Sequence, residues 1–517
     1  MAETGEFDAI TIGSGLGALT AALVLARRGL RVLVVERLAN FGGAATVYRH
    51  GALTMEASLH EIDGASATAP GGLFDRLNLR DAVAPVETAA FYTAVGGALP
   101  APVTIPKGLK AAEAAVIAAL PSDRKALRGW FAELGTIHRA LHDVEQMSSR
   151  APSVLLGLLF SGALFRLAID ARQTVSRAFL RHFGRSEAPK FALGGPLAYF
   201  DDDPGQLSLL LYAGIWSRHV EEGGHYIRGG SAALTRALLR PVREAGGEAI
   251  HGATVTAILT DAGGRAAGVV WRDGAGAGHE ARAPIILGGA APADLERMLP
   301  ETLRPGFTRA FARFEPSISL FTLSLGLSEP GSTVGLPGYS TFIYPDDMRR
   351  YADYPAFAAR FGMEPGPAVP PYVIADYGQI ETGLRRDGDP WLATLTGVDK
   401  LEWWAGLDEA HEMARRRAWT EALIADADRR FPGLAGKIVS AEIATARTMA
   451  NRLGTPGGSV YGFRPTPSRL FGRPPSPATP VPGLWLASAW TVSGGFVGAM
   501  QGGVMAADAA LRVRGRG

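Results

Sequence analysis

The segment Gly13-Ser14-Gly15-Leu16-Gly17-Ala18 has G-x-G-x-x-A spacing, and Glu36 stands 21 residues beyond Gly15. Residues of these types at this spacing suit a dinucleotide. Gly13 permits a tight turn, Gly15 lets a pyrophosphate approach the backbone, Ala18 keeps the following helix close to a strand, and Glu36 is set to accept from ribose hydroxyls. The pyrophosphate would sit on the helix N-terminus, where free N–H groups and the helix dipole favour negative charge.

That chemistry requires a strand, a helix and a second strand around the turn. Phe7-Asp8-Ala9-Ile10-Thr11-Ile12 reads as a short buried parallel strand. Leu19, Ala22, Leu23 and Ala26 then share one side of a helix that stops at Arg27-Arg28-Gly29, basic residues followed by glycine. Arg31-Val32-Leu33-Val34-Val35-Glu36 supplies the second strand and ends on the carboxylate. In a chain with 65 glycines a glycine pattern alone means little; the order of the surrounding elements makes it a nucleotide site.

A second glycine turn, Phe41-Gly42-Gly43-Ala44-Ala45-Thr46, follows Glu36-Arg37. It resembles the turn that, in flavoproteins of the glutathione-reductase type, passes along the ribityl chain and the flavin. Toward the other end, Gly483-Leu484-Trp485-Leu486-Ala487-Ser488-Ala489-Trp490 reads as a strand, and Gly494-Gly495-Phe496-Val497-Gly498 opens a helix through Ala510. The positive end of that helix suits the pyrimidine side of a flavin, where negative charge gathers on reduction. FAD rather than NAD is therefore the expected cofactor, and no separate NAD(P)H-binding unit is visible.

Over nearly its whole length the chain resembles the family of phytoene desaturases, carotenoid isomerases and retinol saturases. The resemblance is carried by the first glycine motif, by Glu36-Arg37 with Gly42-Gly43, by Glu56-Ala57-Ser58-Leu59-His60, by Ile105-Pro106-Lys107-Gly108, and by Leu207-Ser208 through Leu211-Tyr212-Ala213. Most telling is Gly223-Gly224-His225-Tyr226-Ile227-Arg228-Gly229-Gly230-Ser231-Ala232-Ala233-Leu234, with Arg243-Glu244-Ala245-Gly246-Gly247-Glu248 and Val255-Thr256-Ala257-Ile258-Leu259 after it in the family's order. The resemblance implies an α/β fold: a Rossmann-type, glutathione-reductase-like FAD-binding domain with an inserted α+β substrate domain. It assigns residues 1–65, 222–290 and 441–517 to a discontinuous FAD-binding domain, and 66–221 and 291–440 to substrate binding.

The implied cofactor contacts are Gly13, Gly15, Ala18, Glu36, Arg37, Gly42, Gly43, Ala44, Val255, Ser488, Gly495 and Val497, with Val255 touching adenine through its backbone. His60, which stands four residues after Glu56, is implied beside the flavin as a catalytic proton donor. The alternative has His60 and Glu56 only hydrogen-bonding to backbone around the ribityl chain. The implied activity is FAD-dependent desaturation or saturation of carbon–carbon bonds in a long apolar polyene or isoprenoid such as a carotenoid or retinoid. Redox-neutral cis–trans isomerisation with reduced FAD and flavin-dependent amine oxidation are the alternatives, and the electron partner stays open. The chain departs from the family at Ser488 and Trp490, where many relatives have glycine and aspartate, at Phe496 and Gly498 in the next turn, and at His225, where an aromatic residue is expected. The missing carboxylate implies rearranged cofactor contacts.

Composition narrows the field from the other side. At 517 residues the chain has room for two domains, and a formal charge of +2 gives no reason to expect nucleic acid. The absence of cysteine excludes disulfides, thiol catalysis and iron–sulfur clusters. G-x-S-x-G, H-E-x-x-H and P-loop patterns are absent, no metal site is expected, and His138 with His142 reads as a solvated pair. Gly274-Ala275-Gly276-Ala277-Gly278 reads as a hairpin loop between Ala267–Arg272 and Ala283–Leu287. Ile318 and Leu320, then Leu323, Leu325 and Leu327, alternate as in a half-buried strand with a phase slip, which a bulge would explain.

The N-terminus, Met1-Ala2-Glu3-Thr4-Gly5-Glu6, lacks the basic start and apolar core of a secretory signal, and a cytoplasmic location is expected. Residues 474–507 carry no charge, yet their prolines and glycines break them into a loop, a short strand, a turn and a helix. Ala151–Phe165 is apolar and too short to span a bilayer. Bracketed by Arg150 and Arg166 and followed by Arg172, Arg177, Arg181 and Arg185, it is expected to form a helix over 151–169 that docks on a membrane. Packing inside the substrate domain or against a second subunit are the alternatives.

Overall fold

Ala9–Ile12 and Val32–Val35 are almost wholly apolar because both faces of their strands are covered, and they pair in parallel with the helix Leu16–Ala26 crossing between them. The computed structural model describes residues 6–62, 72–147, 170, 172–470 and 475–515. Glu248–Ile250 joins this sheet beside Val32–Val35, and Ile285–Gly288 and then Leu484–Leu486 join it on the other side, every neighbour parallel. Strands from the beginning, middle and end of the chain thus share one sheet.

The first helix is buried at all but one of its positions, because it lies between this sheet and the last helix, Gly495–Arg514. Glycine makes the approach feasible. A Cβ on Gly17 would come within 2.5 Å of the Ala487 carbonyl oxygen, and one on Gly503 would collide with the Gly17 carbonyl.

A three-stranded antiparallel sheet, Thr254–Thr260, Ala266–Arg272 and Gly278–Arg282, stands beside the parallel one. The glycine-rich loop does close a hairpin, but its second strand is Gly278–Arg282. The pairing stops at Ala283 because Pro284 has no N–H to donate, and Ile285–Gly288 enters the parallel sheet instead.

The other large unit is a seven-stranded sheet in the order Ile438–Ala444, Ser319–Leu327, Trp391–Asp399, Tyr372–Asp376, Ser340–Tyr344, Ala90–Gly96, Val103–Pro106. All neighbours are antiparallel except Ser340–Tyr344 with Ala90–Gly96. The expected bulge near Leu320 is absent: Ser319–Leu327 pairs without a shift along Trp391–Asp399. Phe321 holds the phase of Leu323, Leu325 and Leu327, and these four pack in one buried cluster with Phe361, Trp404, Trp419 and Leu423. Each such side chain contributes roughly 2 kcal/mol of burial. Leu320 belongs to the opposite face, with Thr322 and Ser324, and that face borders the central cavity. The irregularity in this strand lies at Gly326/Leu327, against Ile438–Ala444.

Helices Arg124–Met147 and Leu209–Glu222 border the cavity, and Val175–Phe183 packs with them around a core containing Trp130, Phe131 and Trp216. The segment 151–169 expected to dock on a membrane lies outside the described residues. Among the described residues no helix is long and apolar enough to cross a membrane, and residues 475–515 form a loop, the strand Leu484–Leu486 and the last helix.

Candidate active site

The two glycine turns meet. Gly15 and Gly42 form an isolated parallel bridge, and the Gly42 N–H donates to Ser14 Oγ at 3.0 Å. Glu36 ties both turns to the second strand: its Oε2 accepts from the Ser14 N–H at 2.8 Å and the Ser14 hydroxyl at 2.5 Å, and its Oε1 from the Leu38 N–H at 2.7 Å. A carboxylate offers about four acceptor positions, so about one remains for a ribose hydroxyl.

Space is left where a cofactor would need it. A Cβ added to Gly15 would meet nothing within 4 Å, and the same holds at Gly495, the first residue of the last helix. Both helix N-termini therefore border an open cradle, each with N–H groups that lack partners inside the helix. Ala44 gives its carbonyl to the Ser58 hydroxyl at 2.7 Å, which ties the second glycine turn to the segment leading to His60. Arg37 donates to the Arg452 carbonyl at 2.7 Å. Gly13, Gly15, Glu36, Arg37, Gly42, Gly43, Ala44, Val255, Ser488, Gly495 and Val497 all line one cavity. Ala18 does not: it is fully buried, pressed toward Gly289, and acts on packing alone.

At the C-terminal departure, Ser488 Oγ is buried without a hydrogen-bond partner. Trp490 turns its ring edge-on to Phe463, 4.8 Å between centroids, and so fills space with aromatic surface. Arg469, which the sequence did not single out, borders the cavity here and donates to the carbonyls of Phe463, Thr491 and Val492 at 2.7, 3.2 and 2.6 Å. Burial pushes its guanidinium down to about 10. A cation therefore stands beside the turn that follows Trp490.

Glu56 and His60 have separate tasks. Glu56 is buried, and its carboxylate accepts from the Ser231 N–H at 2.9 Å, the Ser231 hydroxyl at 2.6 Å, the Leu59 N–H at 3.2 Å and the Tyr226 hydroxyl at 3.2 Å. It joins the helix Gly230–Glu244 to the turn before His60. Tyr377 and Tyr339, from the seven-stranded sheet side, donate to the carbonyls of Leu59 and His60 at 2.8 and 2.6 Å. His60 Nδ1 meets the Tyr199 hydroxyl, and His60 Nε2 is buried without a partner. Desolvation first, and the charge of His219 second, push the imidazole down to about 3. His60 is thus neutral near pH 7, and a charged imidazolium is not the form this site holds.

The cavity measures about 1310 Å³, above the roughly 300–1,000 Å³ of single small-ligand sites. It has room for a cofactor and a second molecule. Beyond His60 its walls are largely apolar, with Phe91, Pro196, Leu210, Ile215, Trp216, Leu320 and Val373, crossed by the hydroxyls of Thr322, Ser324, Thr394 and Thr396 on the sheet. His138 and His142 both border it: His142 stays exposed to water, as expected, whereas His138 is half-buried and desolvation is the largest influence lowering it. Among the described residues no group of side chains is set to hold a metal. Glu61, Tyr199, Tyr339, Tyr377 and His219 were not apparent from the sequence; adjacency to His60 was the one available signal, and it pointed to Glu61 alone.

Known proteins agree with this geometry. Residues 8–70 match the FAD binding domain family. Human all-trans-retinol 13,14-reductase is 24% identical over 98% of this chain and 86% of its own length. The chloroplastic prolycopene isomerase of Arabidopsis thaliana is 24% identical over 99% of this chain and 84% of its own. An oxidoreductase structure from Methanosarcina mazei aligns over 98% of this chain and 99% of that one, with TM-score 0.60 and 13% identity. A putrescine oxidase structure covers 99% and 100%, with TM-score 0.62 and 11% identity. These two structural likenesses concern the fold. The fold is the Rossmann-type one of FAD-dependent oxidoreductases, and the cofactor is FAD.

Proposed function

We propose, from the premise that this chain is an FAD-binding homologue of the retinol 13,14-reductases and prolycopene isomerases and so of the phytoene desaturase, carotenoid isomerase and retinol saturase family, that it is an oxidoreductase of carbon–carbon bonds. Its substrate is a long apolar polyene or isoprenoid, such as a retinoid or carotenoid. The observation that carries this reading is the relatedness along the whole chain, joined to a cavity that runs from the FAD cradle past His60 between apolar walls. When bound, FAD supplies exchange of two electrons and a hydride.

The chain's own residues supply the rest. Gly13, Gly15, Gly42, Gly43 and Ala44 leave the cofactor its path, Glu36 and Arg37 flank the ribose, Val255 the adenine, and Ser488, Gly495 and Val497 the flavin end. Ala18 keeps the first helix seated. His60 lines the cavity as a neutral ring and is held there by Tyr199 and Tyr339. Residues 1–65, 222–290 and 441–517 form the FAD-binding unit in this reading, and 66–221 with 291–440 the substrate unit. The prolycopene isomerase relatives favour a second reading, redox-neutral cis–trans isomerisation with reduced FAD.

A polyene dissolved in a bilayer reaches a buried flavin best from the membrane surface. We place a peripheral membrane contact of a cytoplasmic enzyme at 151–169. Exposed Arg172, Arg177 and Arg185 and the 65%-exposed Leu180, just beyond that segment, support it. Arg181 is already engaged by Glu133 at 2.6 Å.

Incubating oxidised and, separately, dithionite-reduced holoenzyme with retinoids and carotenoids, then weighing the products, tests the reaction. A change of two hydrogens is expected. Products of unchanged mass and altered geometry would establish the isomerase reading instead, and unchanged substrates in both states would overturn both.

A further inference from the structure

We propose that the Glu61 carboxyl is the acid that protonates the substrate when a carbon–carbon double bond is saturated in this cavity. The inference rests on the oxidoreductase reading above and gives it a direction.

Glu61 lines the same cavity as His60 and the flavin cradle. It lies at the end of the segment that Ser58 ties to Ala44, the turn expected along the ribityl chain. Its Oε1 is buried without a hydrogen-bond partner. Its Oε2 is lodged against Thr88 and Gly224, where a Cβ on Gly224 would stand 2.7 Å from Oε2 and 2.9 Å from the Thr88 hydroxyl. Among the described residues no cation forms an ion pair with it, and its surroundings are the phenols of Tyr199, Tyr339 and Tyr377.

A carboxylate shielded from water needs a counter-ion or several donors, and Glu61 has a single hydroxyl. Burial accordingly pushes it well above the usual carboxylate range, and the three phenols are pushed upward too. The neutral carboxyl has one O–H to give, and Glu61 is among the residues that line the substrate space. His60, held neutral, is the poorer acid at this wall.

The step balances with reduced FAD as the two-electron reductant. Hydride adds to one alkene carbon, the Glu61 O–H bond breaks, and its proton forms the new C–H bond on the neighbouring carbon. FAD is left oxidised and Glu61 ionised, to be reprotonated from water when product leaves. A desaturating site would instead need a base ready at the start, which a protonated carboxyl is not. A buried carboxyl with an unpartnered Oε1 and no ion pair among the described residues therefore favours saturation.

Infrared difference spectroscopy of wild type and Glu61→Gln at neutral pH should show a protonated-carboxyl carbonyl band that the variant lacks. Glu61→Gln is nearly isosteric and should keep its FAD and its reduction by dithionite, while saturation slows by roughly 10²–10⁴-fold. A wild type without the band, or a variant that binds FAD and turns over at the wild-type rate, overturns the proposal. Should the variant lose FAD, the wild-type band compared with Glu61→Asp still decides: a band that does not shift in Glu61→Asp overturns it. Failure of the oxidoreductase reading is separate, and appears as wild type leaving every retinoid and carotenoid unchanged whatever the band shows.

Discussion

His60 shows how far a residue's surroundings can alter what its type suggests. Histidine ordinarily titrates near 6.5, yet here desolvation and then His219 push it down to about 3. The sign of the consequence follows. Between about 6.5 and about 3 the unfolded chain binds a proton at this position that the folded chain does not, so stability falls as pH is lowered through that window. The His60 ring resonances in labelled protein should stay fixed between about pH 5 and about pH 8. A titration centred near 6.5 would show that the ring is solvated and free to act as an imidazolium. Glu56, four residues earlier, is occupied by Ser231, Leu59 and Tyr226 and has a purely positioning part.

Among elements, the pair formed by the first and last helices does most to join the cofactor cradle. Gly17 lies against the Ala487 carbonyl and the Ser488 Cα, so any side chain there would push the last helix, with Gly495 and Val497 at its start, away from the glycine turns. Gly17→Val should destabilise the protein by about 1–3 kcal/mol or more and weaken FAD binding. Gly306→Ala is the control: it sits in the helix Arg304–Phe311 with nothing near its Cβ, and alanine there should stabilise by about 0.5–1 kcal/mol. Urea unfolding with FAD titration measures both, and a Gly17→Val protein as stable as wild type would refute the close packing. The seven-stranded sheet acts at the same scale, since Tyr339 and Tyr377 reach from it to the backbone at His60 and Leu59. Residues beside the seven-stranded sheet thereby set the position of a residue tied to the second glycine turn.

For the molecule as a whole, the question is how a water-insoluble substrate enters. The apolar run Leu155, Leu156, Leu158, Leu159 and Phe160 lies in the sequence between two helices that border the cavity, Arg124–Met147 and Leu209–Glu222. Wild type should co-sediment with anionic vesicles, less so as salt rises, and Leu158→Asp with Phe160→Asp should release a folded protein. Protein that stays in the supernatant would overturn docking, and unfolding of the double variant would identify the segment as core or as a subunit contact.

By itself the sequence determined the nucleotide-binding half. Strand, glycine turn, helix and acidic strand end are local, consecutive and periodic, so the order of residues carries the order of contacts, and the second glycine turn with the C-terminal glycines extended this to FAD. It also carried the likeness to retinol 13,14-reductases and prolycopene isomerases, since that lies in motifs spread over the whole chain. The tertiary structure decided what depends on neighbours far along the chain. It put Phe321 in phase with Leu323 and dispensed with a bulge, because a strand's buried face is chosen by the sheet it joins. It ended the hairpin at Pro284, left His138 half-buried at the cavity and brought Arg469 to the cavity wall beside Val492. Above all it set the direction in which His60 and Glu61 are pushed, His60 downward and Glu61 upward, because the charge a side chain can carry is set by the water, dipoles and ions around it. Those surroundings come from Thr88, Tyr199, His219, Tyr339 and Tyr377, which only folding brings to one wall.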